Sequence, residues 1–462
     1  MNIRESSYGY WTSSRSFLWV AAGATVGIGN ASRLPYLMGE HGGAVFLGFY
    51  LLCLLLVGLP LLATEWVLGR WMRDDVISGI RRIVDAAGAS RYWVVIGYLS
   101  LAGAVMVLSY YSVIAGWSLA YAVRAAGGVF DGIGTEQAHQ AFLSFAQDPE
   151  RALSWHTIFM VTACIIVTHG FRDGIERAAL RLLPTAFLMA IGLCVYAMLN
   201  GSTAEALKFL LTPDWHKFGW RGALEALQQA FFTMALGIGS MLALGSYLPA
   251  RAPVKRLALG VVLIDTVFSL LAGLAIFALI FSAGVEPASG VALLFQALPA
   301  AFPPGMAGIV VALLLYTMLF IVTLTSASAL LETNTRYLMD RFRTTRVFAA
   351  TSSSLLIWFL GLGTLLSFGV LQDWTLLGRN FFGWMQWLTA SWFAPATALL
   401  ICIFAARIMP EEMARSAFGE REGWLFNVWR TLLRYPTRMA LIVILGYSAG
   451  LLDWIANLWG NG

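Results

Sequence analysis

The chain has 462 residues, of which 59% are apolar and only 12% charged, with a formal net charge of +5 and a mean hydropathy of +0.74. A soluble domain carries about 25% charged residues, so the composition excludes a water-soluble globular protein. The apolar runs are continuous rather than alternating, which excludes a transmembrane barrel.

In chain order, eleven apolar segments approach or exceed the ~20 residues that cross a bilayer. They run over 15–38, 44–70, 92–124, 155–171, 178–200, 221–249, 256–283, 306–341, 345–367, 376–407 and 437–459. They predict an all-α polytopic membrane protein, with the longer spans tilted or extending beyond the lipid. The first run is a span rather than a leader, since no small-residue cleavage site follows it.

That first span contains Gly23-Ala24-Thr25-Val26-Gly27-Ile28-Gly29-Asn30-Ala31-Ser32-Arg33-Leu34-Pro35. Three glycines and a proline weaken the helix, and Asn30 and Arg33 place polar atoms at depth. Backbone that leaves the helix inside a bilayer needs partners from protein, water or a ligand. Unwound carbonyls and half-helix ends make ion and substrate sites.

The loops divide by charge. Arg70, Arg73, Arg81, Arg82 and Arg91 fall in one loop, and Arg172, Arg177 and Arg181 in the next on that side. Arg251, Lys255 and Arg256 follow, then Arg336, Arg341, Arg343 and Arg346, then a last group from Arg407 to Arg438. The opposite loops hold Arg124, Arg151, Lys208, Lys217, Arg221 and Arg379. By the positive-inside rule the N-terminus is cytoplasmic. Eleven spans then leave the C-terminus outside, in the cell (inner) membrane. Topology accounts for the positive charge, which gives no sign of a nucleic-acid partner.

The sixth span holds a second interruption, Phe231-Phe232-Thr233-Met234-Ala235-Leu236-Gly237-Ile238-Gly239-Ser240. Gly-Ile-Gly thus occurs in spans one and six, an odd number of spans apart, so the two enter from opposite sides. Glycine breaks at matching places predict two inverted five-helix repeats, 15–200 and 221–407, with a midplane site between them. The alternative is close helix packing through small residues. In the seventh span Asp265 is an acid at mid-depth, where such residues are costly and functional. Segment 410–435 is charged, with Trp424, Phe426, Trp429 and Leu432 interspersed. It reads as a cytoplasmic amphipathic linker before an eleventh helix at 437–459. Cys53, Cys164, Cys194 and Cys402 all fall within spans, so no structural disulfide is expected. No zinc spacing, nucleophile elbow or phosphate loop is present, which argues against an enzyme.

Several pieces, in order along nearly the whole chain, resemble the neurotransmitter:sodium symporter family in its bacterial amino-acid-transporting form. They are Trp11, the Gly-Ile-Gly-Asn-x-x-Arg-x-Pro run, Glu65-Trp66-x-x-Gly69-Arg70, Tyr110-Tyr111, and Gly174 with Pro184. Phe231-Phe232-Thr233 and Leu324-Thr325-Ser326-Ala327-Ser328-Ala329 complete the set. The resemblance implies the leucine-transporter fold and alternating access, with spans one, two, six and seven rocking against the rest.

It also implies two sodium sites. The first uses the Thr25 carbonyl, Asn30, Thr233, Asp265 and the substrate carboxylate. The second uses the Gly23, Val26 and Val322 carbonyls with the Thr325 and Ser326 hydroxyls; hydroxyls bonding to the preceding helical turn are the plainer alternative. The Ile28 and Gly29 amides and the Tyr111 hydroxyl would hold a substrate carboxylate. The Thr25, Phe232, Thr233 and Ala235 carbonyls would hold its ammonium group. Val107, Ile114, Phe232, Ile238, Ser326 and Leu330 would line an apolar side-chain pocket. Gly27 replaces the aspartate of monoamine-transporting relatives, so the expected substrate is a neutral hydrophobic amino acid.

Chloride-dependent relatives carry asparagine at the position of Asp265, with anion partners that match Tyr50, Gln229, Thr233 and Ser269. Asp265 is therefore expected to supply the counter-charge itself, without chloride, and to take a proton on the return step. The alternative is an asparagine substitute that ligates sodium while chloride still binds. At the outer gate, Arg33 and the Phe232 lid match the family, but the usual acid aligns with Gln386. Either that gate is weaker or Arg33 finds another partner such as Asp373. At the inner gate Trp11, Tyr247 and Asp340 match, while the usual N-terminal arginine aligns with Tyr8, leaving Arg4 to substitute. Glu65 is expected to brace the unwound part of span six. A transport-inactive amino-acid sensor and a chloride-coupled carrier of another small zwitterion are the alternative functions.

Overall fold

The computed structural model describes residues 9–418 and 423–450. Among these residues the chain is helical, with one isolated bridge between Leu376 and Arg379 and no strand. The order is α1 (Ser14–Thr25), α2 (Ile28–Glu40), α3 (Ala44–Met72), α4 (Val76–Ala86), α5 (Arg91–Ala126), α6 (Thr135–Ala146), α7 (Pro149–Thr168), α8 (Phe171–Asn200), α9 (Thr203–Leu211) and α10 (Trp220–Phe232). It continues with α11 (Ser240–Ser246), α12 (Val254–Ser282), α13 (Ala292–Ala301), α14 (Met306–Phe342), α15 (Arg346–Leu366), α16 (Phe381–Ile408), α17 (Glu411–Phe418), α18 (Trp424–Leu432) and α19 (Arg438–Ser448).

Among the described residues, α3, α5, α7, α8, α12, α14, α15 and α16 are each long and apolar enough to cross a membrane. The other three expected spans are not long single helices among these residues, two of them because they are interrupted as their glycine runs predict. Spans one and six are each two short helices, because the backbone leaves the helix at the glycine runs. The end of the eleventh span lies outside the described residues, as do Arg4, Tyr8 and part of the linker between α17 and α18.

The first break is stabilised locally. Val26 and Gly27 are extended, and the freed Gly27 N–H donates to Asn30 Oδ1 at 2.9 Å. A donor released by the break is thus satisfied by a side chain one turn on. The second break turns through Ala235, Gly237 and Gly239, with φ of +51°, +74° and +81°. Alanine at left-handed φ is strained, a feature that clusters at functional sites. At 237 a side chain is excluded outright, because a Cβ would collide with the Ala394 carbonyl of α16. The Gly237 N–H donates to buried Glu65 Oε1 at 2.8 Å, so Glu65 does reach the unwound segment.

Packing sorts the helices into two bodies. In one, α14, α15 and α7 pack on α5; in the other, α2 packs on α12, and α10 and α11 pack on α3. Both α1 and α8 touch α12 as well as α14. The two breaks face each other where these bodies meet.

Candidate functional site

Both breaks open onto one cavity of about 260 Å³. The first contributes Thr25, Gly27, Ile28, Gly29, Asn30 and Arg33, the second Phe232, Thr233, Ala235, Leu236 and Ile238. Val107, Tyr110 and Tyr111 enter from α5, Ser326 and Leu330 from α14, and Gln386, Thr389 and Ala390 from α16. Of the residues expected to bind substrate, Ile114 is the exception. It is buried on α5 one turn beyond Tyr111 and is not among the residues that line the cavity. Tyr110, Leu236 and Thr389 were not anticipated. Thr389 lies three residues after Gln386 and so shares its helix face.

A polar knot joins the two breaks to α12. Asn30 Nδ2 donates to Asp265 Oδ1 (2.8 Å) and Ser269 Oγ (2.9 Å), and approaches Thr233 Oγ1 (3.3 Å). Thr233 Oγ1 donates to Asp265 Oδ2 at 2.7 Å. The Asp265 carboxylate is fully buried, so these bonds stand in for water. Ser269 Oγ also donates to the Asp265 carbonyl at 2.8 Å. Tyr50 is buried beside Asp265, Thr233 and Thr266, and Gln229 lines the cavity.

A second cluster ties α1 to α14. Ser326 Oγ lies 3.1 Å from the Gly23 carbonyl, 2.7 Å from that of Val26 and 3.0 Å from that of Val322. Thr325 Oγ1 donates to the Val322 carbonyl at 2.9 Å. All five expected oxygens of the second sodium cage therefore lie together. They are hard, uncharged donors of the kind suited to a small monovalent cation. Hydroxyl bonds to the preceding turn do occur, but Ser326 also reaches across to α1.

The Tyr111 hydroxyl is buried and has no hydrogen-bond partner among the described residues. It points at the first break: a Cβ at position 27 would sit 2.9 Å from its oxygen and 3.7 Å from Ser326 Oγ. Glycine at 27 keeps that space free.

The gates differ from expectation. Arg33 Nη2 meets Glu225 Oε2 at 3.0 Å, not Asp373. Glu225 lies on α10, beside α2, whereas Asp373 belongs to the loop before α16. The Arg33 guanidinium stands 5.9 Å from the centre of the Phe232 ring. A wider cavity of about 840 Å³ shares Arg33, Phe232, Gln386 and Ala390 with the first, so the site opens on this side.

On the opposite side the route is sealed. Trp11 is 2% exposed and donates from Nε1 to the Leu244 carbonyl at 3.1 Å. Its ring meets Tyr247 and Phe171 edge-on, and those two stack 4.5 Å apart. Tyr247 Oη donates to Glu332 Oε1 at 2.5 Å, and Glu332 pairs with Arg346. Arg336 lies 4.4 Å from the Tyr247 ring centre and 3.6 Å from Asp340. Arg73 donates to the Ser246 (3.1 Å) and Leu248 (2.5 Å) carbonyls, and Arg70 to that of Ala252 (2.7 Å). The carbonyls freed after the short α11 are thus held by arginines. Thr12 bonds through its N–H and its hydroxyl to Glu176 at the start of α8.

A model of the Sodium:neurotransmitter symporter family matches residues 8–128 and 143–445. The chain is 33% identical over 447 residues to YhdH of Bacillus subtilis (strain 168), an uncharacterized sodium-dependent transporter, across 96% of this chain and 98% of that one. It is 27% identical over 308 residues to the sodium-dependent neutral amino acid transporter B(0)AT2 of Bos taurus, across 60% of this chain and 41% of that one. The crystal structure of MhsT in complex with L-phenylalanine superposes with a TM-score of 0.86 at 32% identity, covering 96% of this chain and 99% of that one.

Proposed function

The chain belongs to the sodium:neurotransmitter symporter family and is a sodium-dependent transporter rather than an enzyme, and from that premise we propose that it carries a neutral hydrophobic amino acid with two sodium ions, without chloride. The observation that carries the reading is the knot around Asp265. Its carboxylate meets Asn30 from the first break and Thr233 from the second. Two sodium ions and a zwitterion need a compensating anion, and a buried carboxylate beside the first ion supplies it. On the return step, with sodium gone, a proton takes the ion's place and removes the cost of an unpaired buried charge.

The substrate's own carboxylate would lie in the space above Gly27, against the Ile28 and Gly29 amides, the Tyr111 hydroxyl and the first sodium. Its ammonium group would meet the Thr25, Phe232, Thr233 and Ala235 carbonyls. Val107, Ile238 and Leu330 offer the side chain an apolar surface, and MhsT, bound to L-phenylalanine, makes that amino acid the first to test. Sodium at the second cage would tie α1 to α14 and favour the state open past Phe232. Its loss would release α1 and the start of α8, and with them the substrate. By the positive-inside count, the Trp11–Tyr247 side faces the cytoplasm.

The test is radiolabelled amino-acid uptake into proteoliposomes under an inward sodium gradient, with chloride or gluconate as the anion. The expected result is accumulation that requires sodium and is unchanged in gluconate. Collapse without chloride would return the anion role to a chloride held near Tyr50, Gln229 and Ser269. Sodium-dependent binding without accumulation would mark a sensor.

A further inference from the structure

The acid that meets Arg33 stands on the same wall of the outer cavity as Arg33 itself. Arg33 projects from α2 and Glu225 from α10, on the side of the two breaks. Glu225 and Phe232 are seven residues apart on α10, so they lie on one helix face two turns apart. The Arg33 guanidinium is held between them, 3.0 Å from the carboxylate and 5.9 Å from the ring centre. The facing wall offers Gln386, Asn380 and Arg379, and no carboxylate among the described residues that line the wider cavity. The Arg379 guanidinium lies 4.8 Å from the Trp387 ring centre, so closure would carry Arg33 toward a like charge.

We propose that Glu225 is a positioning residue of the outer gate: it sets Arg33 on the Phe232 lid and cancels its charge against the Arg379 wall, instead of latching one wall to the other. A latch between walls must break each time the cavity opens. A pair within one wall persists through opening, and it acts on how well the lid covers the substrate. The inference rests on the transport reading above, and its test includes a readout that needs no substrate.

Purified protein in saturating sodium is loaded with tritiated L-phenylalanine, and release is followed after dilution. Glu225→Gln is expected to release the probe about threefold to fivefold faster, the scale of a partly exposed ion pair. Glu225→Asp should restore most of the retention. In parallel, Ala390→Cys, placed where the two cavities join, is modified with a water-soluble maleimide in sodium and no amino acid. Its labelling should accelerate by a similar factor in Glu225→Gln and return toward the starting rate in Glu225→Asp. Unchanged release and labelling in Glu225→Gln would overturn the proposal. Equal losses in Glu225→Gln and Glu225→Asp would do the same, by showing a general loosening. If the parent protein binds no L-phenylalanine, the substrate choice fails, and the labelling series decides the role of Glu225 by itself.

Discussion

On the side of the 840 Å³ cavity, the site is covered by one ring, Phe232, and one ion pair, Arg33–Glu225, whose side chains are 36% and 29% exposed. On the opposite side, Trp11, Tyr247, Arg336 and Glu332 are each 2% exposed or less. There Glu332 pairs with Arg346 and Arg336 with Asp340, and the rings of Trp11, Tyr247 and Phe171 pack against one another. Exposed ion pairs are screened by water and salt and contribute little. Buried ones are expensive to break from one side, because the remaining charge has nowhere to go. The difference teaches that the two closures are adjusted by different means. The outer one is graded and cheap to open, while the inner one holds until several contacts give way together.

The largest expected effect is on the inner side. Glu332→Ala leaves Arg346 without its carboxylate and Tyr247 without its acceptor, and should cost about 3–5 kcal/mol in the inner-closed state. Thermal unfolding and labelling of a cysteine placed on the Trp11 side would check this; an unchanged melting curve and labelling rate would remove the contrast between the gates. Next comes Tyr247→Phe, which strips one buried hydroxyl from the same network and should cost about 1–3 kcal/mol. Its signature is a shift toward inward-open labelling with the aromatic stack intact. Ser326→Ala should weaken sodium binding about tenfold, a loss of about 1.4 kcal/mol, because the cation loses an oxygen while the Gly23 and Val26 carbonyls stay. Sodium titration of substrate binding measures it, and an unaltered sodium curve would mean that the hydroxyl serves only its own helix. The smallest effect is that of ionic strength on the outer pair. Raising salt at constant sodium should speed substrate release by less than about fivefold in the parent protein and not at all in Glu225→Gln.

How much of this was legible in the sequence depended on how rare each feature is. A glycine run with Asn30 inside a span, or Asp265 at mid-span, has few explanations in lipid, and the structure brings Asn30, Thr233 and Asp265 together. Hydropathy alone does not register that Val26–Gly27 and Met234–Gly239 leave the helix, but the glycine runs do, and the structure breaks both spans there. Glu225 gave no signal, since an acid near the end of a span looks like any residue reaching for the interface. Its meeting with Arg33, 192 positions away, follows from how α2 and α10 come together. Ile114 shows the converse: one turn from Tyr111 on α5, but not among the residues that line the cavity.

The Ser326 hydroxyl has one hydrogen and three carbonyls within reach, those of Gly23, Val26 and Val322. The break accounts for two of them. The Gly27 N–H that would have served Gly23 is taken by Asn30 Oδ1, and the Asn30 N–H that would have served Val26 goes to the Gly27 carbonyl. The Val322 carbonyl also accepts from Thr325 Oγ1, and a hydroxyl donates one proton at a time, so Ser326 always leaves at least one of the Gly23 and Val26 carbonyls out of its bond. No rotation of the side chain cures the shortage; it only moves it. A cation there would answer both at once, with the Val322 carbonyl and the Thr325 and Ser326 hydroxyl oxygens as its further ligands. A cage of this kind would favour a cation by arithmetic as much as by size, and a substitution that brings a further N–H or O–H to the Gly23 and Val26 carbonyls would satisfy them permanently and blunt the need for sodium.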